Sequence, residues 1–287
     1  MKRLDAWIKN NTHRLDGKTV ALSGATGGIG RELCKRLCSL GAGLLLLDRN
    51  KSRSLSLIDE LKSEFGEVKI EHITLDLEDF DRVQVVAEEL KSREIDYLVL
   101  NAGAYSIPRH KCGTGYDNVF QINFLSPYYL AKALLPTVNK RGGKVVVVGS
   151  IAHNYSKIDV SDVDFSNRRA ASKVYGNAKR YLMFSLSGES GVAITHPGIA
   201  VTNITAHYPK LIYALIKYPM KLIFMSPAKA SLCVLSGIFC DSKEGEWIGP
   251  RVLNIWGMPQ NQPLNTAKAE EVAAIREISA DILEKIT

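Results

Sequence analysis

The 287-residue sequence lacks several features that would have decided its class at once. It has five cysteines (Cys34, Cys38, Cys112, Cys233 and Cys240), an odd number with no C-x-x-C pair, which supports neither a disulfide framework nor a zinc ribbon. That usage fits a reducing compartment, and the expected location is the cytoplasm. There is no block of five like charges, no internal repeat of fixed period and no low-complexity tract. The N-terminus from Met1 to Asp16 has basic residues but no apolar core, so it does not read as a secretory signal. The apolar segment Leu211 to Met225 is interrupted by Lys217, Pro219 and Lys221, too short and too broken for a bilayer span. The net charge of +7 is scattered, which reads as a solvated surface. With no basic stripe and no recognition motif, nucleic acid is not an expected partner.

What is present is alternation. Short apolar runs at Thr19–Leu22, Leu44–Leu47, Val68–Ile73, Tyr97–Leu100, Lys144–Val148 and Gly191–Thr195 read as six strands. Helical patterns lie between them, as at Ile29–Leu40, Ser54–Phe65 and Asp79–Arg93. Buried strands joined by helices imply right-handed crossovers and a parallel sheet covered on both faces. The fold class is therefore α/β, a single doubly wound, Rossmann-type, mostly parallel sheet. Its ligands bind beyond the carboxyl ends of the strands. The expected organisation is an N-terminal extension over 1–16, a Rossmann-type domain over 17–257 with an apolar lid at about 203–225, and a helical tail over 258–287. In that tail Val272, Ile275, Ile278, Ile282 and Ile286 recur at helical spacing, facing either this domain or a partner.

The residues after each strand are the ones to weigh. Behind the first is Ser23-Gly24-Ala25-Thr26-Gly27-Gly28-Ile29-Gly30. Glycines at 24, 28 and 30 let the backbone approach a pyrophosphate, and the helix that follows offers free N–H groups and its positive end. Asp48 closes the second strand, placed to accept hydrogen bonds from an adenosine ribose, or else to cap the next helix. Arg49 beside it competes for a 2′-phosphate. Asp76-Leu77 follows the third strand and Asn101-Ala102-Gly103 the fourth. Asn123 sits inside a helical segment, where asparagine is a poor helix former. A Y-x-x-x-K pattern puts a phenol and an ammonium on one helix face, and the cation lowers the phenol pKa into a range useful for proton transfer. Three copies occur: Tyr128/Lys132, Tyr175/Lys179 and Tyr213/Lys217. Only Tyr175 lies between the fifth and sixth strands, downstream of Gly149-Ser150. Tyr128 reads as part of a packed or interface helix and Tyr213 as part of a substrate-covering segment.

In this order the motifs resemble the short-chain dehydrogenase/reductase family over about Gly17 to Trp256. The resemblance implies NAD(P)-dependent hydride transfer. In it Ser150 binds the reacting oxygen, Tyr175 moves the proton, and Lys179 holds the nicotinamide ribose and lowers the tyrosine pKa. Asn123 holds a water, and Pro197, Gly198 and Thr202 line the nicotinamide end. It also implies a homo-oligomer. The 25-residue step from Ser150 to Tyr175, the run Gly149-Ser150-Ile151-Ala152-His153 and Ser226-Pro227 are similar to the retinol-dehydrogenase-like branch. Asp48 departs from that branch, where a neutral residue is usual, and tilts the reading to NAD over NADP. Ala178, where serine is frequent, is a departure at a non-catalytic position.

The apolar stretch from Ala206 to Met225 points to a small hydrophobic alcohol or carbonyl substrate, with core packing, a subunit interface or peripheral membrane contact through its lysines left open. Two other readings stand beside this one. A sugar-nucleotide epimerase or dehydratase would need a larger C-terminal domain and a different glycine spacing. A non-catalytic cofactor-binding regulator would be expected to have lost Ser150, Tyr175 or Lys179.

Overall fold

The computed structural model describes residues 2–199 and 224–287. The expected lid therefore lies almost wholly outside the described residues, as do Thr202 and the pair Tyr213/Lys217.

Eight strands form one sheet: β1 (Thr19–Ser23), β2 (Gly43–Asp48), β3 (Ile70–Thr74), β4 (Tyr97–Leu100), β5 (Lys144–Val148), β6 (Val192–Thr195), β7 (Glu246–Val252) and β8 (Trp256–Pro263). Their order is β3-β2-β1-β4-β5-β6-β7-β8, with every neighbouring pair parallel except β7–β8. The pleat divides the side chains between two cores. Val20 and Leu22, Leu44 and Leu46, Val146 and Val148 face one; Ala21, Leu45 and Leu47, Val145 and Val147 face the other. Because both faces are buried, these strands are continuous apolar runs, which is why the sequence exposes them.

Helices α1 (Lys2–Asn11), α2 (Gly28–Ser39), α3 (Lys51–Phe65) and α8 (Pro227–Phe239) cover the first face. Leu4, Trp7 and Ile8 of α1 pack on it partly buried and Leu15 is buried in it, so the segment before Gly17 is docked on this face. Cys34 and Cys38 lie in the same core, where burial pushes both thiols up, Cys38 to about 12. They are packing groups.

On the other face lie α4 (Phe80–Lys91), α6 (Ser126–Lys140), α7 (Ala171–Leu186) and α9 (Ala269–Ile286). A short helix α5 (Asn118–Phe120) runs through a π turn (Gln121–Leu125) into α6. Asn123 is thus in a π turn, not in a regular helix.

Two strands go beyond the six read from the sequence. Glu246–Val252 contains Gly249 and Pro250, and Trp256–Pro263 carries Pro259, Pro263 and a Gln-Asn-Gln run, so neither has an apolar strand signature. They form because β7 is the last parallel strand and β8 the antiparallel edge, where proline is tolerated. The boundary expected at 257/258 is corrected accordingly. Residues 258–263 are strand, and the tail is helical only from Ala269. Ile275 and Ile282 of α9 are buried in the domain's own core.

A buried ion pair fastens α9. Arg180 on α7 donates to Glu271 through Nε (2.7 Å to Oε1) and Nη2 (2.8 Å to Oε2). Burial would raise the Glu271 carboxyl, but the Arg180 hydrogen bonds and charge more than offset it, so its pKa is lowered. Its contribution is therefore present at pH values above the unfolded carboxyl range and is lost as pH falls through the lowered folded pKa. Glu271→Ala leaves a buried guanidinium unpaired and should cost about 3 kcal/mol at neutral pH. Urea unfolding of variant and wild type checks this, and the gap between them should close at acid pH.

Candidate active site

The chain leaves β1 through a turn with no room for side chains. Gly24 has φ +70°, and a Cβ there would stand 2.8 Å from the Ala102 Cα; a Cβ on Gly30 would stand 2.1 Å from the Gly24 carbonyl oxygen. Ser23 and Asn101 lace this turn to the loop after β4. Ser23 Oγ accepts from the N–H groups of Asn101 and Ala102, both at 3.1 Å, while Asn101 Nδ2 donates to the carbonyls of Ser23 (3.1 Å) and Gly24 (3.0 Å). Helix α2 starts at Gly28 behind Gly27, with no side-chain cap and no acidic residue in its first turn. Its first N–H groups and its dipole are left for an anion.

Asp48 ends β2 buried. Its Oδ1 accepts from Thr26 Oγ1 at 3.3 Å, and its Oδ2 is buried without a hydrogen-bond partner. Burial raises its pKa, against the bonds from Thr26 and the Ala25 and Thr26 backbone. A buried carboxylate oxygen with an open valence fits a sugar hydroxyl as donor. Arg49 points outward, its side chain 70% exposed and 3.9 Å from Glu78. Asp76 accepts from Glu78 N–H at 3.0 Å, and the Leu77 carbonyl from Ser126 Oγ at 2.7 Å.

Asn123 is fully buried. Its Oδ1 accepts from Ala104 N–H (3.0 Å), and its Nδ2 donates to the carbonyls of Ala104 and Val119, both at 2.8 Å. All three bonds go to backbone, so the side chain braces the loop after β4. Gly103 is wedged beside it, where a Cβ would come 2.8 Å from Asn123 Oδ1 and 3.7 Å from Lys179 Nζ.

Ser150 follows β5 and caps a short 3₁₀ turn (Ile151–Tyr155), its Oγ accepting from Ala152 N–H at 3.2 Å. Tyr175 and Lys179 stand one turn apart on α7. Lys179 is buried, donates to the Val148 carbonyl at 2.9 Å, and lies 5.9 Å from the centre of the Tyr175 ring. Burial lowers its pKa to about 8. The Tyr175 phenol goes up to about 12, pushed by burial, pulled back by a hydrogen bond with Ser150 and raised again by Tyr105. The sequence pattern predicts a lowered phenol. Here desolvation wins, because the ammonium is turned onto the Val148 carbonyl. The Tyr105 ring meets Tyr175 edge-on at 5.4 Å.

Of the other Y-x-x-x-K pairs, Tyr128 is buried against Phe124 and Lys132 pairs with Glu189 at 2.8 Å. Pro197 and Gly198 follow β6, under the β7–β8 hairpin; a Cβ on Gly198 would lie 2.8 Å from the Ile255 carbonyl. Sequence reasoning passed over Tyr105, and it passed over the stack of His196 on Trp247 (4.8 Å) beneath this loop. Neither falls in a spaced motif that a single sequence could reveal. Among the described residues, no helix is long and apolar enough to cross a membrane.

Known proteins to which this chain is similar give its family. A profile described as short chain dehydrogenase matches residues 18–162. The mouse polyprenol dehydrogenase is 25% identical over 89% of this chain and 80% of its own. Retinol dehydrogenase 12 of mouse is 29% identical over 67% and 64%. A solved structure of an uncharacterised Mycobacterium paratuberculosis protein superposes with a TM-score of 0.72 at 20% identity, covering 96% of both chains. A short-chain dehydrogenase from Sphingobium yanoikuyae in complex with NADPH superposes at 0.54 with 25% identity, over 70% of this chain and 84% of that one. With half of its length inside the family profile and the doubly wound sheet to match, this chain belongs to the short chain dehydrogenase family, on its retinol-dehydrogenase-like side.

Proposed function

We propose that the protein interconverts a hydrophobic alcohol and its aldehyde or ketone, with Ser150, Tyr175 and Lys179 as the reacting side chains and Asn123 as their brace. The observation that carries this reading is the hydrogen-bonded Ser150–Tyr175 pair with Lys179 buried beside it, at the carboxyl ends of the strands. A bound nicotinamide dinucleotide supplies or accepts the hydride.

Ser150 holds the substrate oxygen against the Tyr175 hydroxyl. In the reducing direction Tyr175 gives that oxygen its proton; in the oxidising direction it takes the alcohol's proton. Lys179 stands beside the Tyr175 ring, held on the Val148 carbonyl, and would bind the ribose. The glycine turn and the start of α2 would hold the pyrophosphate, and Asp76-Leu77, Asn101-Ala102-Gly103 and Pro197-Gly198 would line the cofactor's path. The substrate class is supported by the apolar composition of residues 206–223 and by the polyprenol and retinol named for the two relatives.

The same reading favours NAD over NADP. The open Asp48 Oδ2 would accept from a free ribose hydroxyl, and a 2′-phosphate would bring charge against it while Arg49 points to solvent.

Three measurements test this. Tyr175→Phe should lower turnover of farnesol or retinol roughly 10²–10⁴-fold while cofactor binding stays near normal; a near-normal rate would move the proton transfer elsewhere. Oxidation needs the phenolate and reduction the phenol. With Tyr175 raised and Lys179 at about 8, the oxidation rate should climb between about pH 6 and pH 8 while reduction stays level. An oxidation rate that falls over that range would contradict the assignment. Finally, NAD should bind about tenfold tighter than NADP, a difference near 1.4 kcal/mol, and Asp48→Ala should erase it. Tighter NADP binding that survives Asp48→Ala and is lost in Arg49→Ala would reverse the preference.

A further inference from the structure

We propose that His153 is a positioning residue that ties the Ser150 turn to Thr266, making the segment that leads into α9 part of what sets the chemical step. This rests on the role given to Ser150 above.

The geometry fixes what the imidazole does. His153 Nδ1 lies 2.6 Å from the Ser150 carbonyl oxygen, and Nε2 lies 2.8 Å from Thr266 Oγ1. A carbonyl can only accept, so Nδ1 carries the proton. In the neutral ring Nε2 is then an acceptor, and the Thr266 hydroxyl is its donor. Burial holds the ring neutral, with its pKa lowered to about 4. The ring cannot swing away, because Trp247 meets it edge-on at 5.3 Å and Phe184 at 5.9 Å.

Arg180 closes the link from behind. It follows Lys179 directly and donates to the carbonyls of His153 (3.3 Å) and Thr266 (2.8 Å) besides its bonds to Glu271. Three stretches far apart in sequence, 150–153, 180 and 266–271, are therefore held by one set of hydrogen bonds. Ser150 has extended backbone (φ −154°, ψ 145°), and its carbonyl is the end of that residue gripped by His153. A shift of the carbonyl turns the peptide and re-aims the hydroxyl, and reaction rate is steep in such small displacements.

Thr266 is exposed and its substitution opens no core. Thr266→Val keeps the shape and removes the donor; Thr266→Ser keeps the donor. With the full chain, reduction of 4-nitrobenzaldehyde by NADH should show kcat about fivefold lower in Thr266→Val, with KM and NADH affinity unchanged and Thr266→Ser restored. The urea midpoint should fall only by what one lost hydrogen bond costs, in both the presence and absence of NADH, leaving the chain fully folded under assay conditions. Independently of turnover, nitrogen-15 spectra should show His153 as the Nδ1–H tautomer, and the Ser150 and Ile151 amides should shift in Thr266→Val but not in Thr266→Ser. Unshifted amides in Thr266→Val, or a kcat loss that tracks NADH affinity or unfolding, would overturn the proposal. A Tyr175→Phe variant that kept its rate would overturn the site reading instead, and the amide shifts would still decide whether Thr266 steers the Ser150 turn.

Discussion

Burial of both faces of the sheet is the constraint on which everything else here depends. A parallel strand covered on both sides must send the chain back across a helix before the next strand can begin. All the departures from β1 to β6 therefore occur at the same edge, and residues as far apart as Gly24, Asn101, Ser150 and Pro197 are delivered there without any direct attraction between them. The apolar strands supply the free energy; the polar residues at their ends are carried along. Ser23 and Asn101 then convert proximity into fixed geometry, because their hydrogen bonds join two loops whose backbone groups would otherwise be buried unpaired.

The reacting centre sits in tension with that burial. Lys179 is a buried amine held on the Val148 carbonyl, and Tyr175 is a partly buried phenol one turn away. Desolvation disfavours the charged form of each, so it pushes their pKa values toward and away from neutrality respectively. The lysine ends within reach of physiological pH and the phenol does not. The pair is thus arranged with the proton on tyrosine, and Ser150 is the neighbour that works against the burial.

How much of this was legible beforehand follows from which forces shaped each part. Strands β1, β2 and β4 to β6 were readable because two-sided burial writes itself as an apolar run, whereas β3 at the sheet edge sets Ile70 and Ile73 among the exposed Glu71 and Thr74. Strands β7 and β8 were not, since an edge hairpin with Pro250, Pro259 and Pro263 is made by tertiary pairing and has the composition of a loop. The glycine turn, Asn101, Ser150 and the Tyr175/Lys179 pair were readable because close approach and one-turn spacing restrict residue type. Arg180, His153 and Thr266 were not, because the bonds that join these three span 27 to 113 residues and no local rule connects them. The direction of the Tyr175 shift also needed three dimensions. Spacing along a helix gives the distance to the ammonium but says nothing of the carbonyl that claims it.

The β8 strand has one more consequence. A sheet edge is normally a template on which another chain can lay its backbone. This one offers two prolines without N–H groups, and the Asn261 and Gln262 amides between them donate back to Asp241, Glu246 and Arg251 of the same chain. The ladder that begins at β3 is brought to a stop there, and a second molecule meeting this side of the protein would find a terminus instead of a place to continue.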